Sequence, residues 1–232
     1  MIQIAVAGAN GRMGQLILNA IEADKDCIVA AKLLRTQSNG LAELNAPIDV
    51  LIDFTTCAAT LEHVAIAREL GLKMVIGTTG FSPAEKAEIE DAANDIPIVF
   101  APNMSIGINI CFKVLELVST ALKKETPVKI SDIHHQHKKD SPSGTALKMA
   151  EIIQNAQKSI SLQSPVEIFS ERIGETVGDH SALFLMDGET IEIKHKATDR
   201  SLFAKGAVEA AKWIIHQEPG LYSMQDVLGL RS

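Results

Sequence analysis

The segment from residue 132 to residue 145 holds the densest set of side chains that could do chemistry. It reads DIHHQHKKDSPSGT and places three histidines and two lysines within six positions. Histidine titrates near neutral pH and suits acid–base catalysis, whereas lysine is a compact cation that binds carboxylates and whose pKa falls readily on burial. The pattern therefore favours a catalytic site at which cations bind an anionic substrate while one histidine or lysine moves a proton.

The same segment ends in the turn Pro142-Ser143-Gly144-Thr145, which precedes a predicted helix. The unpaired N–H groups at the N-terminus of a helix suit the binding of a carboxylate. We therefore expect this turn to contribute to the anion site.

Two other interpretations of the segment stay open, a solvated surface loop and a metal site. A metal site is disfavoured because alternation along an extended segment separates His134 from His135 and His137. The sequence also offers no cysteine or carboxylate cluster that would supply the remaining ligands at zinc-like spacing. We therefore expect no metal.

A glycine-rich turn lies at the other end of the chain, where GANGRMG at residues 8–14 follows the first predicted strand and opens the first predicted helix. Backbone without Cβ atoms can approach a pyrophosphate closely, and the helix N-terminus adds N–H groups and a partial positive charge. The spacing is GxxGxxG rather than the common GxGxxG, so the strand–turn–helix context carries this prediction of a dinucleotide site. A plain tight turn is the alternative.

The end of the second predicted strand bears on the choice between NADPH and NADH. NAD sites usually place an acidic residue there to bind the ribose 2′-hydroxyl, whereas NADP sites often have an arginine nearby. Residues 32–36 read KLLRT and contain no acid. We therefore predict that NADPH is preferred and that Arg35 lies near the 2′-phosphate, with an ordinary solvated cation as the alternative.

Two further loops, GTTG at residues 77–80 and APNM at residues 101–104, follow strands at the position where a doubly wound sheet contacts its ligands. Their small and hydroxyl-bearing residues suit a nicotinamide ribose and carboxamide. Ordinary connecting loops without a function explain the pattern equally well.

The first hundred residues alternate short apolar runs with helical patterns. We predict strands at 2–7, 27–34, 50–54, 73–76 and 96–100, and helices at 13–23, 61–70 and 83–94. Short links between alternating strands and helices imply a parallel sheet that is covered on both faces. The sequence thus predicts a doubly wound, Rossmann-like α/β domain.

The pattern changes after Asn103. A long apolar helix is predicted at 106–122, followed by half-buried strands at 128–134, 166–170, 181–186 and 190–194, with one helix near 145–156 and a closing helix near 203–216. Asp187-Gly188 marks a tight turn between the last two strands. We expect a smaller α+β domain with a mixed or antiparallel sheet.

The bulk composition disfavours several function classes. The net charge of −7 argues against nonspecific nucleic-acid binding, which needs a surplus of cations. No apolar run could span a membrane, and the N-terminus lacks the basic leader of a secretion signal. The chain has an odd number of cysteines, and they are widely spaced: Cys27, Cys57 and Cys111. This pattern is typical of free thiols in a reducing compartment. We predict a cytoplasmic protein without nucleic-acid or membrane partners.

Two competing functions follow from the dinucleotide turn alone. A semialdehyde dehydrogenase would need a cysteine nucleophile, and neither Cys57 nor Cys111 has a convincing base beside it in the sequence. A redox sensor that only binds the dinucleotide would have no need for the histidine–lysine segment.

Six motifs together resemble the dihydrodipicolinate reductase family. They are VAGANGRMG at 6–14, IDFT at 52–55, VIGTTGF at 75–81, FAPNMS at 100–105, HHQHKKDSPSGT at 134–145 and HKATDR at 195–200. They span essentially the whole chain in the expected order. The resemblance implies reduction of the small dicarboxylate 4-hydroxy-tetrahydrodipicolinate to tetrahydrodipicolinate by NADPH or NADH, in diaminopimelate and lysine biosynthesis.

The resemblance also implies a domain arrangement and an assembly. Residues 1–104 and 201–232 would form the dinucleotide-binding domain. Residues 105–200 would form a substrate-binding domain whose sheet builds a homotetramer.

Residue roles are implied in the same way. His134 would be the acid–base residue and Lys138 the proton donor, while His135, Gly144 and Thr145 would bind the substrate. The implied cofactor contacts are Gly8, Ala9, Asn10, Gly11, Arg12, Met13, Gly77, Thr78, Thr79, Ala101, Pro102, Asn103, Met104, Arg200 and Phe203.

The sequence departs from the family pattern in places. Leu34 stands where some members have an acidic residue, which bears on the use of both cofactors. Gln136 stands where arginine is frequent, which alters the charge expected in the substrate pocket. The chain is also somewhat short, mainly near residues 37–47 and before Glu171.

Overall fold

The computed structural model describes residues 1–34 and 47–231. These residues form ten strands and seven helices, in the order β1 (Ile2–Ala7), α1 (Arg12–Glu22), β2 (Cys27–Leu33), β3 (Val50–Asp53), α2 (Cys57–Leu70), β4 (Lys73–Ile76), α3 (Pro83–Ala92), β5 (Pro97–Phe100), α4 (Ile106–Ala121), β6 (Val128–His134), α5 (Gly144–Ser159), β7 (Val166–Arg172), β8 (Gly178–Met186), β9 (Glu189–Ala197), α6 (Ser201–Ile214), β10 (Gly220–Tyr222) and α7 (Met224–Val227). The chain divides into two compact units, one of Met1–Ile106 with Ser201–Ser232 and one of Gly107–Arg200. Of the described helices, none has the length and apolar character needed to cross a membrane.

The first unit is built on a six-stranded sheet of order β10-β5-β4-β3-β1-β2, in which every pair of neighbours is parallel. Alternate residues of a strand point to opposite faces. In β1, Ile4 and Val6 pack with α1 and α6 on one face, and Ala5 and Ala7 pack with α2 and α3 on the other. Burial on both faces explains the continuous apolar strands and confirms the predicted doubly wound architecture.

Local signals set the ends of the helices in this unit. Helix α3 begins with a capping box, because Ser82 Oγ accepts from the Glu85 N–H and the Glu85 carboxylate accepts from the Ser82 N–H, with Pro83 in the first turn. Helix α2 is capped by Thr56 and ends at Gly71, whose φ of 65° is left-handed. These ends direct each helix back to the next parallel strand.

The second unit contains a four-stranded sheet of order β7-β6-β8-β9. Strands β6 and β7 are parallel, whereas β8 is antiparallel to both β6 and β9, so the predicted mixed sheet is confirmed. Helices α4 and α5 cover one face of this sheet and share a core with it that includes Ile108, Met149 and Phe184. The β8–β9 turn contains Gly188 with φ of 80°, in agreement with the predicted Asp187-Gly188 turn.

The sequence pattern underestimated the strands of the second unit. Strand β7 continues to Arg172, β8 starts at Gly178, and β9 continues to Ala197. The missed ends carry polar residues such as Asp179 and His180, which interrupt an apolar alternation. The pattern also missed β10 and α7, because β10 has only three residues and its assignment depends on pairing with β5.

Candidate active site

A buried carboxylate lies at the centre of the polar cluster in the second unit. Asp132 and His134 are two residues apart in β6 and therefore point to the same face, where both are buried. Strand β8 places His180 directly opposite Asp132 in the antiparallel ladder. The Oδ1 atom of Asp132 lies 2.9 Å from Nδ1 of His134 and 3.3 Å from Nε2 of His180. One carboxylate oxygen thus contacts two histidines.

The other oxygen of Asp132 is held from two further elements. Oδ2 accepts hydrogen bonds from the backbone N–H of Ser143 at 2.9 Å and from the hydroxyl of Ser170 at 3.1 Å, and it lies 3.4 Å from the Arg172 guanidinium. Arg172 also donates to the backbone carbonyl of Asp140 in the histidine–lysine segment. The carboxylate therefore links β6, β7, β8 and the start of α5.

The electrostatic surroundings keep Asp132 ionised. Burial by itself raises the pKa of this carboxyl group, but the contacts from His134, His180 and Ser143 outweigh burial and lower the pKa well below its ordinary value. The Asp132 carboxylate therefore carries a negative charge in contact with two imidazole rings.

The ring of His134 directs Nδ1 to the Asp132 carboxylate and Nε2 to Gly178. It meets the ring of His180 edge-on, with centroids 4.9 Å apart and planes at 70°. A Cβ atom added to Gly178 would come within 3.1 Å of His134 Nε2. The glycine at the start of β8 therefore leaves room beside that nitrogen.

The remaining residues of the histidine–lysine segment make separate contacts. Lys138 Nζ forms an ion pair with Asp140 at 2.8 Å, and Arg200 donates a hydrogen bond to Nε2 of His135 at 3.4 Å. Burial raises the pKa of Asp140, but the hydrogen bond from Lys138 and nearby charges lower it overall. Burial and the charge of Arg200 both lower the pKa of His135. The resemblance implies a cofactor contact for Arg200, and the structure places it beside a residue assigned to the substrate.

Helix α5 begins at Gly144, slightly earlier than the predicted start near residue 145, so Gly144 and Thr145 lie in its first turn. Ser143 caps this helix, because its Oγ accepts from the Ala146 N–H at 3.2 Å, and it also lies 3.2 Å from Nε2 of His180. The N-terminus of α5 is therefore anchored on the same cluster as His134.

The metal interpretation of the segment takes a different form in the structure. His134 does not group with His135 and His137 within the described residues; instead, single ligand-type atoms of Asp132, His134 and His180 lie within 4.8 Å of one another. The two shortest separations in this group have the lengths of ion pairs and hydrogen bonds. These distances are those of direct contacts between the Asp132 carboxylate and the two imidazole rings.

The glycine turn of the first unit fits a dinucleotide. Gly8 adopts a left-handed φ of 67°, and a Cβ on Gly14 would lie 2.2 Å from the Gly8 carbonyl oxygen. Gly11 is the N-cap of α1 and has no side chain to cap the N–H groups of the first turn, while Asn10, Gly11 and Arg12 are exposed. The N–H groups of Ala9 and Gly11 donate to the carbonyls of Leu33 and Gly8, so the donors available to a phosphate group are those of the first turn of α1.

The loop that follows β4 is held by a second buried carboxylate. Asp53, the last residue of β3, lies 2.7 Å from Nδ1 of His63 and accepts from the N–H and hydroxyl of Thr55. The hydroxyl of Thr78 accepts from Thr60 at 2.9 Å and from the Thr55 N–H at 3.0 Å. The side chain of Thr78 is therefore used inside the protein, whereas the neighbouring Thr79 is exposed.

Close packing explains the small residues in these loops. A Cβ on Gly77 would lie 2.2 Å from the ring of Phe54, and a Cβ on Gly206 in α6 would lie 1.8 Å from the carbonyl oxygen of Met104. Met104 itself is buried, whereas Pro102 in the same loop is exposed. Arg35, the predicted 2′-phosphate ligand, lies outside the described residues.

Sequence reasoning did not assign roles to five residues that the structure brings into these clusters. They are Asp53, His63, Asp132, Arg172 and His180. The available signal was a polar residue at an inward-facing strand position, since Val128, Ile130, Asp132 and His134 alternate along β6 and all are buried.

Comparison with known proteins identifies the family. The model of the dihydrodipicolinate reductase N-terminus matches residues 2–104, and that of the C-terminus matches residues 107–228. The 4-hydroxy-tetrahydrodipicolinate reductase of Nitrosomonas eutropha is 43% identical over 266 residues, covering 100% of this chain and 99% of that protein. The enzyme of the same name from Saccharophagus degradans is 37% identical, covering 99% of each chain.

Solved structures agree on the fold. A dipicolinate-bound dihydrodipicolinate reductase from Paenisporosarcina sp. TG-14 has a TM-score of 0.82 at 21% identity, covering 97% of this chain and 98% of that one. A myo-inositol dehydrogenase from Corynebacterium glutamicum has a TM-score of 0.61 at 15% identity, covering 99% and 93%. Together with the family models and the full-length relatives, the two units place this chain in the dihydrodipicolinate reductase family, whose members are NAD(P)H-dependent oxidoreductases.

Proposed function

We propose that the chain catalyses the reaction named for its relatives, the NAD(P)H-dependent reduction of 4-hydroxy-tetrahydrodipicolinate in diaminopimelate and lysine biosynthesis. The observation that carries this proposal is the buried cluster of Asp132, His134 and His180 at the start of α5, in a chain that matches those reductases over its full length. A catalytically silent dinucleotide sensor would have no use for such a cluster.

The substrate is a small dicarboxylate, and the second unit offers groups that would bind it. Lys138 and Arg200 supply positive charge, while Gly144 and Thr145 supply N–H groups at the N-terminus of α5. His135, beside Arg200, is a further polar contact. The related enzyme from Paenisporosarcina was solved with dipicolinate, a planar dicarboxylate.

The chemistry divides between the cofactor and the protein. The reduced nicotinamide supplies the hydride when it is bound. Addition of hydride to the conjugated imine leaves an electron-rich product that must receive a proton, and we assign this transfer to Lys138, with His134 as the acid–base residue. Binding both carboxylates would fix the ring for the reaction and convert binding energy into rate.

The first unit would hold the dinucleotide. The backbone of residues 8–13 would bind the pyrophosphate, and residues 77–79 and 101–104 would line the nicotinamide side. The open N-terminus of α1 and the close packing of Gly14 and Gly77 support this assignment. We further propose NADPH as the preferred cofactor, with Arg35 near its 2′-phosphate and Arg200 and Phe203 as additional contacts.

The outer face of the second unit's sheet supports assembly into a homotetramer. Phe169 is 51% exposed on β7, and Ile133 on β6 and Leu183 on β8 are partly exposed on the same outward face of the sheet. Apolar side chains on an open sheet face favour pairing with another copy of the chain.

We place the enzyme in the cytoplasm, where the free thiols of Cys27, Cys57 and Cys111 would persist.

The test is an absorbance assay of NADPH and, separately, NADH oxidation. The substrate is formed in situ from pyruvate and aspartate semialdehyde by the enzyme that catalyses the preceding condensation, and omission of pyruvate is the control. Rapid oxidation that depends on both precursors is expected, with a higher kcat/KM for NADPH. Binding of either cofactor without oxidation would contradict the proposed function, and a higher kcat/KM for NADH would contradict only the cofactor preference.

A further inference from the structure

The two oxygens of Asp132 differ in how they are engaged. Oδ2 accepts from Ser143 and Ser170 and lies beside Arg172, which fixes it from three directions. Oδ1 lies within 3.3 Å of two imidazole nitrogens, yet neither Oδ1 nor Nδ1 of His134 has an aligned hydrogen bond within the described part of the chain. Catalytic hydrogen bonds often become well aligned only when the substrate binds.

We propose that Asp132 is the positioning residue of the active site: its Oδ1 holds the Nδ1 edge of His134, so that Nε2 is the nitrogen that exchanges a proton during the reduction. This inference rests on the proposed function. Asp132 thereby acquires a role beside His134 and Lys138, and Nε2 is assigned as the reacting atom of His134.

The chemistry of the carboxylate determines which nitrogen is used. An ionised carboxylate only accepts hydrogen bonds, so Nδ1 at 2.9 Å must carry the hydrogen, and a neutral His134 then presents Nε2 as its basic atom. The lowered pKa of Asp132 ensures that the carboxylate is ionised throughout the working range. A negative charge at this position also stabilises the imidazolium that forms when Nε2 takes up a proton.

The space around the ring agrees with this assignment. The side of His134 that carries Nε2 faces Gly178, where a Cβ would approach to 3.1 Å. The glycine has an ordinary backbone conformation rather than a left-handed one, so the backbone does not require it. The absence of a side chain is therefore explained by the room that it leaves beside Nε2.

His180 limits the freedom of the carboxylate. Its Nε2 lies 3.3 Å from Oδ1 of Asp132, which is farther than Nδ1 of His134. The same Nε2 lies 3.2 Å from Oγ of Ser143, so His180 has a second hydrogen-bond partner.

Several titratable or charged groups surround His134 and would influence any pH profile. They are Asp132 and His135 near the same strand, Arg172 on β7, His180 on β8 and His195 opposite His180 on β9.

The experiment compares Asp132→Asn with Asp187→Asn. Asp187 undergoes the same chemical change, but it lies in the turn between β8 and β9 and its side chain is fully exposed. We expect Asp132→Asn to lower kcat by roughly 10-fold or more, to change KM by less than about 3-fold, and to alter the shape of the kcat–pH profile. Asp187→Asn should leave kcat within about 2-fold of wild type.

A spectroscopic measurement separates positioning from general damage and does not depend on turnover. Long-range ¹H–¹⁵N spectra report which ring nitrogen of a histidine carries the hydrogen, and the His134 signals are assigned by their loss in His134→Gln. Wild type should show the Nδ1–H tautomer for neutral His134, and Asp132→Asn should lose that preference. Asp132→Glu, which keeps the carboxylate, should recover part of the kcat and of the tautomer preference.

Three results would overturn the proposal. The first is a kcat for folded Asp132→Asn within about 3-fold of wild type. The second is an unchanged His134 tautomer in that variant. The third is a stoichiometric divalent metal in the purified wild-type enzyme that Asp132→Asn loses, because the three clustered atoms would then be metal ligands.

A variant that acts from the other side of the ring keeps the idea testable if Asp132→Asn does not fold. Gly178→Ala places a methyl group beside Nε2 without removing a charge. It should lower kcat while the Nδ1–H tautomer is retained, and an unchanged kcat would count against Nε2 as the reacting nitrogen. Loss of all activity in the wild-type assay would contradict the proposed function, whereas the tautomer result would still report on Asp132.

Discussion

Each unit of the protein buries one aspartate against a histidine, and the two pairs look alike at first sight. Asp53 lies 2.7 Å from Nδ1 of His63, and Asp132 lies 2.9 Å from Nδ1 of His134, with both carboxyl groups fully buried. Both carboxylates also accept a backbone N–H, from Thr55 in one case and from Ser143 in the other.

The pairs differ in how completely their hydrogen bonds are formed. The carboxylate of Asp53 has aligned hydrogen bonds on both oxygens, and these lead on to buried threonine hydroxyls that hold the loop after β4. In the other cluster Asp132 Oδ1 and Nδ1 of both His134 and His180 lack aligned partners within the described residues. A closed network stabilises the fold, whereas the unaligned contact between Asp132 Oδ1 and His134 Nδ1 is of the kind that becomes aligned when a substrate binds.

The most severe test of this comparison is His134→Leu in the open cluster. Loss of the acid–base imidazole should reduce kcat by about 10²- to 10⁴-fold, since that is the usual contribution of a positioned acid–base group. The melting temperature should fall as well, because the buried Asp132 carboxylate loses one of the contacts that lower its pKa. Steady-state kinetics and thermal unfolding measure the two effects. Retention of more than about a third of the wild-type kcat would remove His134 from the catalytic role.

Lys138→Ala tests the proton donor in the same unit. The variant loses both a proton source and a positive charge, so kcat should fall about 100-fold or more and KM for the substrate should rise. Lys139→Ala, which changes the adjacent lysine, is the matched control and should have a much smaller effect. Near-wild-type activity of Lys138→Ala in the coupled assay would show that the proton comes from elsewhere.

His63→Leu makes the same substitution in the closed cluster, and here the expected loss is of stability. Removing the partner leaves the buried Asp53 carboxylate with one fewer hydrogen bond, which should lower the free energy of unfolding by about 1–3 kcal/mol. The kcat of the folded enzyme should stay within a few-fold of wild type. Denaturant unfolding gives the first quantity. A large fall in kcat with unchanged stability would show that the two clusters do not divide the work as we describe.

The smallest expected effect is the acid dependence of stability that Asp132 contributes. The folded-state pKa of this group is depressed below its ordinary value of 3.8, so its stabilising contribution is complete above that value and is lost as the pH falls further. The difference in unfolding free energy between wild type and Asp132→Asn should therefore narrow below about pH 4. Urea unfolding between pH 3 and pH 7 measures it, and a constant difference would show that the carboxylate has an ordinary pKa.

Much of the fold was predictable because it depends on local patterns. The apolar run of β1 with both faces buried, the Ser82–Glu85 capping box and the Asp187-Gly188 turn are all signals within a few residues. Strand β10 was not predictable, because a three-residue strand is defined by its parallel pairing with β5 rather than by its own sequence.

The sequence by itself determined the family, the layered architecture and the segment in which the chemistry would be found. Tertiary structure decided how that segment is supported. His180 and Arg172 lie 48 and 40 residues from Asp132 along the chain and reach it only through the register of β8 and β7. Pairing register is a property of two strands at once, so no local pattern encodes it, and the carboxylate that holds His134 became visible only when the strands were paired.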